Sequence, residues 1–173
     1  MDISQSRLCM AFTVPVTCRD EDYVAMHLFN TVYGSGMTSK LFQNVREKLS
    51  LCYSVGSAYY SSKGILTVSA GIDAEKEDVA RQEILHQLQL CREGEITPQE
   101  LQAAKEAVLS GIRSLTDSPV AIENYFINAA LAGTPEDLDA YSQAVMDVTV
   151  QDIARMAALV EPHTEFFLKG VAK

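Results

Sequence analysis

Much that would mark an autonomous enzyme or a membrane protein is missing from these 173 residues. No apolar run approaches the ~18–20 residues needed to cross a bilayer, so membrane insertion is not expected. Basic residues are scarce, 14 Lys and Arg against 23 Asp and Glu for a net charge of -9, which argues against nucleic acid as a partner because phosphate contacts need clustered cations. The four cysteines, Cys9, Cys18, Cys52 and Cys91, contain no Cys-x-x-Cys pair and read as free structural thiols. The three histidines, His27, His86 and His163, are far apart and form no zinc motif. Glu83 and His86 share one predicted helix face but find no third ligand, so they read as a solvated pair, and His27 reads as a structural histidine. A Gly-x-Ser-x-Gly elbow, a phosphate-binding loop and a dinucleotide fingerprint are all absent, and Gly34-Ser35-Gly36 alone is too short to count. No independent catalytic activity is expected. The segment Met1 to Ser6 lacks a basic stretch followed by an apolar one, so a cytoplasmic location is the expectation.

What is present suits a globular chain: 47% apolar and 21% charged residues, at a length that buries a self-sufficient core. Loose alternation over Arg7 to Val16 predicts an opening strand. Asp20 or Asp22 is placed to cap a helix that carries Tyr23, Met26 and Val32 and ends at Gly34. A short helix from about Ser39 hands over to a strand near Leu51, and Ser61 to Gly64 turn the chain into a hairpin partner that alternates from Ile65 and closes at Gly71. Helical spacing then places Val79, Ile84, Leu85, Leu88 and Cys91 on one face before Gly94. Thr97-Pro98-Gln99-Glu100 and Thr149-Val150-Gln151-Asp152 carry capping patterns, and Thr134 to Asp137 opens a helix between them, after one from about Val120 to Leu131. A short apolar run, Glu165 to Leu168, predicts a final strand. The expected fold is α+β, a small, mostly antiparallel sheet packed against several helices. The expected organisation is one domain over 1–173, half of something longer.

The most informative stretch is Leu41 to Tyr53. Arg46 and Tyr53 flank one predicted helix-to-strand junction, where a guanidinium and a phenol could aim two donors at a peptide carbonyl. Residue spacing alone favours a surface ion pair for Arg46 and a half-buried packing role for Tyr53, since most such residues are structural.

Gly36-Met37-Thr38-Ser39-Lys40-Leu41-Phe42, Val45-Arg46-Glu47-Lys48, Leu51-Cys52-Tyr53-Ser54-Val55 and Lys63-Gly64 together resemble the C-terminal-type domain of the insulinase and pitrilysin family of zinc peptidases. The resemblance continues through the later helices and extends to the non-catalytic member of paired bacterial insulinase-like proteins, a group linked to modification of elongation factor P. It implies a clamshell of two related halves around an extended peptide, with zinc held by a His-x-x-Glu-His motif in the other half or in a partner chain. That motif is absent here. It also implies that Arg46 and Tyr53, seven positions apart, hold the substrate carbonyl, that no cofactor binds this chain, and that Cys52 replaces a small apolar residue as a packing change. Two functions follow as expectations: the substrate-binding half of a zinc peptidase homologue, or a degenerate scaffold or assembly subunit. A homodimer of the isolated domain is a further expectation, because a surface meant for a partner half would otherwise be exposed.

Overall fold

Alternation along two strands builds the sheet. Leu8, Met10 and Phe12 of β1 (Ser6–Thr13) and Leu66, Val68, Ala70 and Ile72 of β3 (Ile65–Ile72) are buried on one face, as a side-chain period of two requires. The computed structural model describes residues 5–132 and 137–170. In it β1 and β3 pair antiparallel, with Leu8 opposite Ala70, Met10 opposite Val68 and Phe12 opposite Leu66. β2 (Cys52–Tyr60) pairs with the far side of β3 and β4 (Glu161–Leu168) with the far side of β1, giving an all-antiparallel order β2-β3-β1-β4.

Helices cover the buried face. α1 (Tyr23–Tyr33), α2 (Glu77–Arg92) and α6 (Val150–Ala158) contribute Met26, Phe29, Ile84, Leu88, Ile153 and Met156 to the core shared with the sheet. α3 (Pro98–Thr116), α4 (Pro119–Ala132) and α5 (Leu138–Asp147) pack beside them, and α4 leaves Val120, Ile127 and Leu131 exposed. The opposite sheet face carries Cys9 and Ala11 beside Thr67 and Ser69 and then Gly56 and Ala58, all half-buried or exposed, with the exposed Phe166 and Leu168 of β4 on its other side.

The α+β expectation holds, and both capping boxes form. The Glu100 N–H donates to Thr97 Oγ1 at 3.2 Å while the Glu100 carboxylate accepts the Thr97 N–H at 2.7 Å, and Asp152 and Thr149 repeat the exchange. Other expectations change. β1 stops at Thr13, although Val14 and Val16 stay buried beyond it, and Gly71 lies inside β3 instead of closing it. β4 starts four residues earlier than its apolar run, at Glu161, because Pro162 is tolerated on an edge strand. Val79 is exposed, off the buried stripe of Ala80, Ile84, Leu88 and Cys91. Asp22 takes the N-cap position of α1 but its carboxylate makes no capping bond and pairs with Arg155 at 2.6 Å instead, while Asp20 closes the preceding turn by accepting from Thr17. Asp137 caps α5 through the Asp139 and Ala140 N–H groups, while Thr134, Pro135 and Glu136 lie outside the described residues.

Gly64 is required where the β2–β3 turn meets β1. Its φ is +62°, and a Cβ there would stand 2.5 Å from the Val14 carbonyl oxygen, which is backbone and cannot move aside. Gly64→Ala is expected to cost about 2 kcal/mol or more, read from the urea midpoint.

His27 packs against Tyr23 and accepts or donates a 2.6 Å bond between Nδ1 and the Tyr141 hydroxyl. Burial holds its imidazole below the ordinary value of 6.5. Between the lowered folded value and 6.5 the unfolded chain binds more protons, so stability is complete above about pH 6.5 and falls as the pH drops below it. Urea unfolding from pH 7.5 to 5 should show this loss, and His27→Gln should flatten it.

Candidate functional site

The site begins where α1 ends. Gly34 lets the end of α1 lie against β2 and the next helix at once, since a Cβ would meet Ser57 Oγ at 2.5 Å and Leu41 Cδ1 at 2.8 Å. Ser39 then accepts from the Phe42 N–H and donates to the Gly36 carbonyl, as its position suggested. The segment expected as an ordinary helix is wound as a π-helix, Leu41–Lys48, with Leu41 and Val45 buried. Such windings are rare and concentrate at functional sites.

Its exit is tightly specified. The Ser50 N–H donates to the Arg46 carbonyl at 3.1 Å, the single bond of a left-handed helix ending, and the Leu51 N–H reaches one residue further back, to the Val45 carbonyl, at 2.9 Å. That ending needs a left-handed residue, and Ser50 supplies it with φ +49°, the one non-glycine residue of positive φ among those described. The strand that follows opens with an irregularity: Cys52 pairs with Ile72 and Ser54 with Gly71, so Tyr53 is the extra residue of a bulge. Cys52 keeps the core face, and Tyr53 is turned out, half of its surface exposed.

These two departures bring Arg46 and Tyr53 to one open depression of about 390 Å³, lined also by Glu47, Ser50, Asp73 and Lys76. The Arg46 guanidinium lies 4.7 Å over the Phe42 ring, and its Nε is 3.6 Å from Glu47. The Tyr53 hydroxyl donates to Asp73 Oδ1 at 2.5 Å, and this bond, with the carboxylate charge behind it, raises the phenol above its usual range. Lys76 Nζ stands 3.6 Å from Asp73 Oδ2 and donates to the Ser50 carbonyl at 3.0 Å. Cys52 behaves as packing: burial pushes its thiol up to about 11, against the opposing pull of Arg46 and Lys76. Asp73, Lys76 and Ser50 were not foreseen. The i,i+3 spacing of Asp73 and Lys76 was the available signal for the pair, and nothing local flags Ser50.

A second contact fixes the π-helix from the other side. Lys40, just before it, is buried and pairs with Glu100 at 2.8 Å, and Asn44 donates to Gln87 of α2 at 3.0 Å. Burial alone would raise the Glu100 carboxyl, but bonds from Lys40 and the Thr97 N–H outweigh it and hold it below the usual range. Among the described residues no three His, Cys, Asp or Glu side chains converge as metal ligands. His27 is bonded to Tyr141, Glu83 accepts from Gln87 at 2.6 Å, and His163 bonds Thr164 on the exposed β4. The donor set does not fit zinc.

Comparison with known proteins identifies the family. Residues 1–108 match the family described as the peptidase M16 inactive domain. The chain is 30% identical over 169 residues to a Bacillus subtilis protein named probable inactive metalloprotease YmfF, covering 98% of this chain and 40% of that one. A conserved protein from Enterococcus faecalis superposes with a TM-score of 0.93 at 28% identity, over 100% of this chain and 41% of its own. A peptidase M16 inactive domain from Pseudomonas fluorescens superposes at 0.83 with 22% identity, over 99% of this chain and 43% of its own. The chain thus spans well under half the length of these relatives.

Two variants test the supports of the site. Ser50→Gly should raise stability by about 1 kcal/mol, the cost of a left-handed non-glycine residue, with the fold's circular dichroism unchanged. Lys40→Met should lower it by about 2–3 kcal/mol in chemical denaturation, since Glu100 is left partly buried without its cation.

Proposed function

Because the chain belongs to the peptidase M16 family as its inactive domain, we propose that it is the substrate-binding half of a zinc peptidase assembly. In this reading a second half, in the same parent protein or in a partner chain, carries the zinc and closes a peptide chamber against this one. The reading rests chiefly on one observation: the π-helix ending and the β2 bulge turn Arg46 and Tyr53 toward a single solvent-open depression. A guanidinium has several N–H donors in a planar fork, suited to the carbonyl of an extended peptide. Held over Phe42, the Arg46 guanidinium starts with fewer accessible rotamers, so fixing it on substrate costs less entropy. This chain's residues bind and orient; the chemistry of the metal belongs to the other half. The open face of the sheet and the apolar flank of α4 are the surfaces this reading assigns to that half, and a cytoplasmic location is part of it.

A scaffold or assembly role would use the same exposed Val120, Ile127 and Leu131 of α4 as its contact and would leave Arg46 and Tyr53 without a substrate. Hydrolysis of a fluorogenic peptide separates the two. The chain alone should hydrolyse nothing; mixed with its zinc-bearing half it should be active, and Arg46→Ala should lower kcat/KM by about 10²–10³-fold without unfolding the domain. Equal activity in wild type and variant would remove Arg46 from the site, and a zinc-free, inactive mixture would select the scaffold.

A further inference from the structure

The Tyr53 hydroxyl has one proton, and in this structure it is already committed. It is donated to Asp73 Oδ1, whose carboxylate is held on its other side by Lys76, which is itself anchored on the Ser50 carbonyl. That chain of contacts closes on the strained residue: the left-handed turn at Ser50 is what directs its carbonyl to the Lys76 ammonium. Strain kept at a non-glycine residue is retained when the surroundings over-determine it, and here what it supports is the position of one carboxylate. A phenol that donates to a carboxylate keeps oxygen lone pairs facing outward, and donation polarises that oxygen into a better acceptor. A phenol is protonated at neutral pH in any case, and the bond to Asp73 moves it further in that direction, so it does not present a phenolate.

We propose that Asp73, held by Lys76, is a positioning residue that sets Tyr53 as a hydrogen-bond acceptor, so that the depression takes an extended peptide by a carbonyl on Arg46 and a backbone N–H on the Tyr53 oxygen. This inference rests on the substrate-binding reading above. It assigns the two residues opposite polarities, where two donors aimed at one carbonyl would be the simpler arrangement. Successive peptide groups on one edge of an extended segment present carbonyl and N–H side by side, so one donor and one acceptor grip backbone without regard to side chains. The specificity expected is for unfolded, extended chain.

The test uses this chain together with its zinc-bearing half, the zinc removed to prevent turnover. The probe is a fluorescein-labelled 15-residue peptide of Ala, Ser, Leu and Lys, together with a set in which one amide N–H at a time is replaced by an ester oxygen. Asp73→Ala should weaken binding of the all-amide probe about tenfold, to the level of Tyr53→Phe, and the double variant should lose no more. Asp73→Asn, which keeps an acceptor for the phenol, should recover part of the loss. One ester position should cost affinity in wild type and cost little in Tyr53→Phe or Asp73→Ala. In protein labelled at the tyrosine Cζ carbons, the Tyr53 resonance should titrate at lower pH in Asp73→Ala than in wild type. Unchanged or tighter binding by Asp73→Ala, with Arg46→Ala still defective, would overturn the inference alone and make Asp73 a competitor of substrate. The absence of any ester position that depends on Tyr53 would do the same. No binding by wild type, or binding indifferent to both Arg46 and Tyr53, would overturn the substrate-binding reading and this inference with it.

Discussion

The Glu100 carboxylate holds the rest of the site in place. One oxygen caps α3 by accepting the Thr97 N–H, and the other takes the buried Lys40 ammonium at the entrance to the π-helix. A charge removed from water must be paired closely or it destabilises the fold, so this pair leaves few arrangements for the segment after Lys40. Asn44 and Gln87 add a second tie to α2, and Leu41 and Val45 fill the core beneath. The helix that carries Arg46 is therefore gripped from α2, α3 and the sheet before any ligand arrives.

Against that rigid backing, local departures from regular backbone gather within a few residues. The π winding, the left-handed Ser50 and the bulge at Tyr53 fall between Leu41 and Ser54, and each changes where a side chain points. Without the bulge, the alternation that puts Val55 opposite Ala70 would place Tyr53 on the core face; with it, Cys52 takes that place and the phenol reaches Asp73. Irregular backbone on a well-packed sheet is a common way to present polar groups at defined positions, because the sheet absorbs the strain.

Two surfaces of the domain stay exposed. One sheet face is left open, α4 shows apolar side chains outward, and the Bacillus subtilis and Enterococcus faecalis relatives are each more than twice as long. Several titratable side chains away from the depression are meanwhile spent on structure: His27 on Tyr141, Glu100 on Lys40, Asp152 on Thr149. Side chains committed in this way agree with membership of the family described as the peptidase M16 inactive domain.

Local chemistry settled much of this without the fold. Thr97 and Glu100, or Thr149 and Asp152, form their capping boxes from side chains three residues apart, and the period-two runs of β1 and β3 needed only a core to face. Spacing in Leu41 to Tyr53 put Arg46 and Tyr53 at one helix-to-strand junction, and it was the family resemblance that marked them as a pair. Tertiary structure alone decided what those residues meet. Asp73 reaches Tyr53 from 20 residues away and Glu100 reaches Lys40 from 60 away, and no window of local sequence encodes either encounter. The same holds for the fate of Asp22, which looks like a cap but is taken by Arg155 across 133 residues. Capping and alternation are interactions between neighbours along the chain, so sequence determines them; the polarity of the Tyr53 hydroxyl depends on which distant carboxylate the sheet brings beside it.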